Sequence, residues 1–215
     1  MPKSVQAQNL KIVIIDYKMG NLNSVKNALG FLGYRAEISD RREDVISADA
    51  LVLPGVGAFG VAMRNLQLQG LIEPLGRKVQ EEKTPFLGIC LGMQLIAERS
   101  EEKGMHEGLG WIPGHVRRIK EDASIRVPHI GWNNTGILTK TPLFENIEDN
   151  PEFYYVHSYH FDCDAEFVAA CCLYGSPLVA AVQRGNIHAV QFHPEKSQHN
   201  GLRVLRNFMN LVSAN

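Results

Sequence analysis

A cysteine at 90, a histidine at 193 and a glutamate at 195 are together enough for acyl transfer through a thioester. A thiolate attacks a carbonyl carbon, an imidazole moves the proton, and a carboxylate fixes the imidazole tautomer. Cys90 stands in Phe86-Leu87-Gly88-Ile89-Cys90-Leu91-Gly92-Met93-Gln94, an apolar run that enters G-x-C-x-G and leaves into a helix. That is the cysteine form of the nucleophile elbow, a strand-to-helix turn tight enough to strain the nucleophile's backbone. Gly88 and Gly92 let neighbouring backbone approach where a Cβ would clash. The thiol then projects from the carboxyl end of a sheet, where open α/β sheets bind ligands. The start of the following helix favours its thiolate. A free cysteine met in isolation is more often a small buried apolar residue. The two glycines and the strand-to-helix setting make Cys90 the nucleophile instead. Cys163, Cys171 and Cys172 have no such setting and read as structural.

Of the 8 histidines, His193 is the one that follows a strand-like run, residues 187–192, and leads into Pro194-Glu195. Proline limits the backbone at that strand end. In extended chain His193 and Glu195 point the same way, so Glu195 can hold one ring nitrogen while the other faces Cys90. H-P-E alone would be an ordinary turn; beside the elbow it reads as base and orienter. The tetrahedral intermediates carry an oxyanion, which needs backbone N–H groups aimed at it. Leu91, just after the nucleophile, supplies one. Pro54-Gly55-Val56-Gly57, ending a neighbouring strand, offers the second through Gly57. The Val56–Gly57 peptide can reorient at little steric cost, so this loop is also where a partner would switch the site on. His157 and His160 are three apart, hence on opposite faces of one extended strand, and no cysteine or carboxylate stands at ligand spacing. Neither a metal nor a cofactor is expected.

The elements that must position these groups alternate in the first half. Residues 11–16, 35–38, 50–53 and 86–90 are strand-like. Helical spacing falls between and after them: Val25, Ala28, Leu29 and Leu32 up to Gly33, then 59 to about 82 with breaks near Gly70 and Pro74, then 94 to about 100. Such alternation implies βαβ units, a parallel sheet and helices on both faces. In the second half residues 127–132, 153–159, 167–173, 178–183 and 187–192 are strand-like with little helix between. Arg184-Gly185-Asn186 makes the last two an antiparallel hairpin. A closing helix over 201–212 carries Leu202, Leu205, Phe208 and Leu211. The expected fold is α/β: a mixed, mainly parallel central sheet with flanking helices and a more antiparallel C-terminal half. Residues 10–215 read as one domain behind a short polar arm at 1–9.

A net charge of −1 without a basic run argues against nucleic-acid partners. The longest apolar stretches, such as 50–53 and 178–182, are strand-sized, far below the roughly 18 residues of a membrane span. The polar start lacks a signal-peptide core. A cytoplasmic protein is the expectation.

With G-I-C-L-G-M-Q and F-H-P-E in place, residues 11–212 resemble the class-I, or triad, glutamine amidotransferases. The resemblance implies L-glutamine as substrate, a γ-glutamyl thioester on Cys90, and Gln94, His157, Ser158 and Tyr159 as substrate-binding residues. Further motifs choose a branch: Ile15-Asp16-Tyr17 with Met19-Gly20-Asn21-Leu22, Pro54-Gly55-Val56-Gly57-Ala58-Phe59, Val127-Pro128-His129-Ile130-Gly131-Trp132-Asn133, Tyr155-Val156-His157-Ser158-Tyr159 and His193-Pro194-Glu195-Lys196-Ser197. As a set they resemble the glutaminase subunits of imidazole glycerol phosphate synthases, which serve histidine biosynthesis. The implied partner is a (β/α)8-barrel cyclase in a heterodimer, since no barrel follows in this sequence. Asn21, Trp132, Tyr154 and Lys196 are implied to lie at its interface. Lys18, Ile130 and His160 depart from the branch, where glycine, methionine and tyrosine are frequent; none touches the triad. The nearest rival is the glutaminase subunit of an anthranilate or aminodeoxychorismate synthase, which usually carries serine where this chain has Lys196. A catalytically silent binding module and a cysteine peptidase are more distant rivals.

Overall fold

The computed structural model describes residues 10–121 and 125–214. The proposed arm at 1–9 and Asn215 lie outside the described residues.

The first half runs β1 (Ile12–Ile15), α1 (Leu22–Phe31), β2 (Ala36–Ser39), α2 (Arg42–Ile46), β3 (Ala50–Gly55), α3 (Phe59–Leu68), α4 (Ile72–Gly76), β4 (Phe86–Cys90) and α5 (Leu91–Leu95). The second continues β5 (Arg99–Ser100), β6 (His106–Glu107), β7 (His115–Arg118), β8 (His129–Ile137), β9 (Glu152–His157), β10 (Tyr159–Asp162), β11 (Val168–Tyr174), β12 (Ser176–Arg184), β13 (Ile187–Val190) and α6 (Gln198–Ala214). Among the described residues, nine strands form one sheet in the order β2-β1-β3-β4-β13-β12-β11-β8-β9. The neighbours from β2 to β13 pair in parallel, and those from β13 to β9 antiparallel. The expected mixed sheet with its antiparallel second half is therefore present.

β1 is buried at all four positions because apolar layers cover both its faces. Ile12 and Ile14 pack with Val25 and Leu29 of α1 and Leu205 and Phe208 of α6; Val13 and Ile15 pack with Phe59 and Leu66 of α3. Each such buried side chain contributes on the order of 1.5–3 kcal/mol by removal from water. The parallel register aligns Gly55 with Cys90 and Val190 with Ile89, so three strand ends open at one edge. Cys90, the expected nucleophile, lies at that edge.

Several expectations are corrected. β3 runs on through Pro54 and Gly55, which pair with Ile89 and Cys90 instead of stopping the strand. Pro74 does not break a helix; it sits in the first turn of α4, where its missing N–H costs nothing. The helix expected over 94–100 begins at Leu91 and ends at Leu95, and Arg99–Ser100 is already strand. The run 153–159 is two strands in different sheets, broken at Ser158. His157 and His160 therefore do not share a strand. The second sheet, β10-β7-β5-β6, was not foreseen, because its two-residue strands carry no readable period. Lys18, where the branch favours glycine, has φ 65°, a left-handed conformation that suits glycine. Its ammonium is held by Asp16 at 3.1 Å and Asp40 at 2.9 Å.

Candidate active site

Cys90 closes β4 and opens α5 with φ 54° and ψ −107°. A non-glycine residue at such angles is strained, and the strain is held in place by close packing around it. A Cβ on Gly92 would run into Leu53 O, and one on Gly88 would lie 2.8 Å from Gly92 O. Both glycines of the elbow are thus required by the backbone that passes them. α5 is only five residues long, so its dipole helps the thiol less than a full helix would.

His193 lies just past β13 and is buried. Its Nδ1 is 2.8 Å from Glu195 Oε1, both side chains being 4% exposed. Sequence reasoning reached this contact by a different route from the chain. Residues Pro194–Lys196 form a 3-10 turn, not extended backbone, and that turn brings the carboxylate under the ring. The His193 N–H donates to Tyr154 O at 2.9 Å. Ser197 Oγ–H donates to His193 O at 2.7 Å and accepts from Tyr154 N–H at 3.0 Å, which fastens the turn to β9. His193 Nε2 is buried without a hydrogen-bond partner, as is Glu195 Oε2. Burial opposes a charge on His193, but interaction with the Cys90 sulfur and with Glu195 outweighs it and pushes the imidazole up to about 10.

Beside Cys90 opens a cavity of about 310 Å³ lined by Val56, Gly57, Leu91, Gln94, Glu102, Pro128, Val156, His157, Ser158 and Tyr159. This volume is at the small-molecule end of binding sites and too small for a folded polypeptide segment. The residues expected to form the oxyanion hole and to bind substrate all line it. Gly57 has φ 111°, open to glycine and strained for other residues. Gln94 spends its nitrogen inside the protein, donating to Tyr159 O at 2.9 Å and Gln191 Oε1 at 3.0 Å.

His157 faces another ring. His157 Nε2 is 3.0 Å from His129 Nδ1, while His157 Nδ1 is 2.9 Å from Tyr159 O. Desolvation pulls His129 down to about 4 and His157 to about 3, so both are neutral near pH 7. His129 stacks between Tyr155 and Tyr174 at centroid distances of 4.8 and 4.0 Å. Burial pushes the Cys163 and Cys172 thiols up to about 12 and raises that of Cys171, which disfavours the thiolate at all three.

Three residues implied to meet a partner form one cluster. Trp132 and Tyr154 lie opposite each other on β8 and β9, 6.1 Å apart in an edge contact, and Lys196 Nζ sits 5.6 Å from the Tyr154 ring centre. Trp132 is 45% exposed, so it is not the core residue that a strand Trp usually is. Asn21 caps α1, its Oδ1 accepting from Ser24 N–H.

Three site residues escaped sequence reasoning. Glu102 stands in an acidic stretch without pattern, yet it lines the cavity and takes the Phe59 N–H at 2.6 Å. His129 belonged to a branch motif whose geometry the sequence does not show. Gln191 is two residues before His193, and that spacing was the available signal.

A model of the family "Glutamine amidotransferase class-I" matches residues 13–211. The imidazole glycerol phosphate synthase subunit HisH 1 of Campylobacter jejuni (strain RM1221) is 49% identical over 93% of this chain and 100% of its own length. The imidazole glycerol phosphate synthase hisHF, chloroplastic, of Arabidopsis thaliana is 43% identical over 92% of this chain and 34% of its own length. A solved glutamine amidotransferase, 23% identical, superposes with a TM-score of 0.72 over 93% of this chain and 98% of that one.

Proposed function

The chain belongs to the class-I glutamine amidotransferase family, and from that premise we propose how it works as the glutaminase subunit of an imidazole glycerol phosphate synthase. Cys90 Sγ, its proton held by His193 Nε2, attacks the side-chain amide carbon of L-glutamine as the thiolate. The oxyanion that forms is held by the N–H groups of Leu91 and Gly57. The C–N bond then breaks, His193 returns the proton to the leaving nitrogen, and ammonia departs. A γ-glutamyl thioester remains on Cys90. Water attacks it with His193 as base, and glutamate and the free thiol are restored. Glu195 keeps Nδ1 protonated and stabilises the imidazolium, without taking the proton itself.

The observation that carries this reading is His193: one ring nitrogen on Glu195 at 2.8 Å, the other buried without a hydrogen-bond partner, and the charged ring favoured by the Cys90 sulfur. Around it Ser158 and Tyr159 offer polar groups for the substrate, and Glu102 supplies a carboxylate on the cavity wall for its ammonium. The ammonia passes to a cyclase subunit, which we take to be a (β/α)8 barrel docked on the Trp132–Tyr154–Lys196 cluster. The longer plant relative, of which this chain covers 34%, leaves room for a further part joined to the glutaminase-like part, which supports a partner of this kind. Neither a metal nor a cofactor enters any step. The test is an ammonia-release assay with glutamine, run with the cyclase and its nucleotide ligand. Release that depends on glutamine, with none from peptide substrates, is expected; cleavage of peptides or no release at all would refute the reading.

A further inference from the structure

Gln191 is wholly buried, lies one residue beyond β13, and plays no part in the proposed reaction steps. The parallel register that pairs Ile89 with Val190 sets the next two residues, Cys90 and Gln191, side by side. The Gln191 backbone N–H is tied to Ala180 O at 2.8 Å. Its side-chain Nε2 is 3.6 Å from Cys90 Sγ, and its Oε1 is 3.0 Å from Gln94 Nε2.

The orientation of both amides follows from what they face. Tyr159 O can only accept, so Gln94 must turn nitrogen toward it. The second N–H of that nitrogen goes to Gln191, which must answer with oxygen. Only the Gln191 nitrogen is then left for the sulfur. Tyr159 O is itself steadied from the other side. His157 Nδ1–H donates to it, His129 Nδ1–H donates to His157 Nε2, and Asn133 Nδ2–H donates to His129 Nε2 at 3.3 Å. Each ring nitrogen thus has one consistent role.

We propose that Gln191 is a positioning residue whose side-chain N–H is a preset hydrogen-bond donor to the Cys90 sulfur while that sulfur carries negative charge. A neutral thiol is a poor acceptor and a thiolate a strong one. The bond therefore holds the sulfur while its proton is on His193, weakens once the sulfur carries the acyl group, and re-forms when the thioester collapses and the thiolate departs. A donor to the departing thiolate acts in the chemical steps and not on substrate binding, so it raises turnover more than affinity. The donor comes from a neighbouring strand, so it supplies what the five-residue α5 provides only weakly.

The proposal rests on Cys90 being the nucleophile, and its test can tell the two ideas apart. In Gln191→Met the length is kept and the donor lost. In Gln191→Glu an oxygen remains for Gln94 while a carboxyl replaces the group facing sulfur. The first readout is the pH profile of Cys90 alkylation by iodoacetamide on the folded chain. We expect the midpoint to rise by about one pH unit in Gln191→Met, and further in Gln191→Glu, where an ionised carboxylate repels the thiolate. The second readout is glutaminase activity of the complex. There kcat should fall about 10- to 100-fold, the range of one hydrogen bond to a charged group, with KM within about threefold. Should one variant fail to fold, the other still carries both readouts. Alkylation profiles that superimpose on the unsubstituted chain would overturn the proposal whatever happens to turnover, because Gln191 would then only pack. If iodoacetamide finds Cys163, Cys171 or Cys172 before Cys90 in the unsubstituted chain, the triad reading falls and the proposal with it.

Discussion

At His193 two opposite tendencies meet. Burial works against charge, and the neighbouring sulfur and carboxylate work for it more strongly. In the proposed reaction this imidazole holds the Cys90 proton, and its removal should be severe. His193→Asn is expected to lower kcat by about 10²–10⁴-fold, the range of a general base. Glu195→Gln should be milder, since the amide still meets Nδ1 but no longer stabilises imidazolium. Steady-state kinetics of both variants check this; equal and negligible effects would point to another base. Residues of this kind are legible in sequence when their partners stand at short, fixed spacing, as in G-x-C-x-G and H-P-E. Gln191 was not, because its contact with Cys90 spans 101 positions and exists only through the register of β13 on β4. Glu102 was hidden for a similar reason: its two roles, cavity wall and N–H acceptor for α3, both depend on a loop brought from 43 positions away.

Among the elements, the elbow is the least tolerant. Gly92→Ala would press a methyl group into Leu53 O on the neighbouring strand. We expect a loss of about 3 kcal/mol or more in chemical denaturation, beyond ordinary overpacking because the obstacle is backbone. A variant as stable as the parent would show that the turn is looser than its angles imply. The loop after β3 is tolerant by comparison. A Cβ on Gly57 would meet only the end of the Met19 side chain, at 2.7 Å, so Gly57→Ala should fold. Its left-handed φ would nevertheless disfavour the geometry by which Gly57 is proposed to aim its N–H at the oxyanion, and kcat should fall while complex formation survives. The parallel strands were readable because each is an apolar run bounded by turn residues. The end of α5 was not, since apolar Ile96 and Ala97 continue a helical pattern that the chain leaves in order to reach β5.

For the molecule as a whole, the buried histidines shape stability in opposite directions. His129 and His188 are pulled down to about 4 and His157 to about 3, all by desolvation. The unfolded chain protonates them near pH 6.5, so it binds more protons there than the folded chain does. Their contribution is intact above about pH 6.5 and is lost as pH falls toward 4 and 3. His193, raised to about 10, has the reverse sign: its contribution is full below about 6.5 and is lost as pH rises through 10. Thermal unfolding across pH should therefore show a maximum between two declining limbs. His188→Leu should flatten the acid limb, and Cys90→Ser, which removes the sulfur that most favours the charged His193 ring, the alkaline one; unchanged limbs would contradict these assignments. On the outside, Trp132 and Ile130, 45% and 60% exposed, stand on β8 beside the Tyr154–Lys196 contact. Trp132→Ala and Lys196→Ala should weaken association with the cyclase at least tenfold by titration, in the range of a lost interface anchor of about 2 kcal/mol. Normal binding by both would move the interface elsewhere.

The most direct measurement is inactivation of the glutaminase–cyclase complex by an alkylating analogue of glutamine, followed by peptide mapping. One adduct per chain on Cys90, formed in step with the loss of ammonia release and slowed by L-glutamine, is the predicted result. An adduct on Cys163, Cys171 or Cys172 that accounts for the inactivation, or full glutaminase activity in Cys90→Ser, would contradict it.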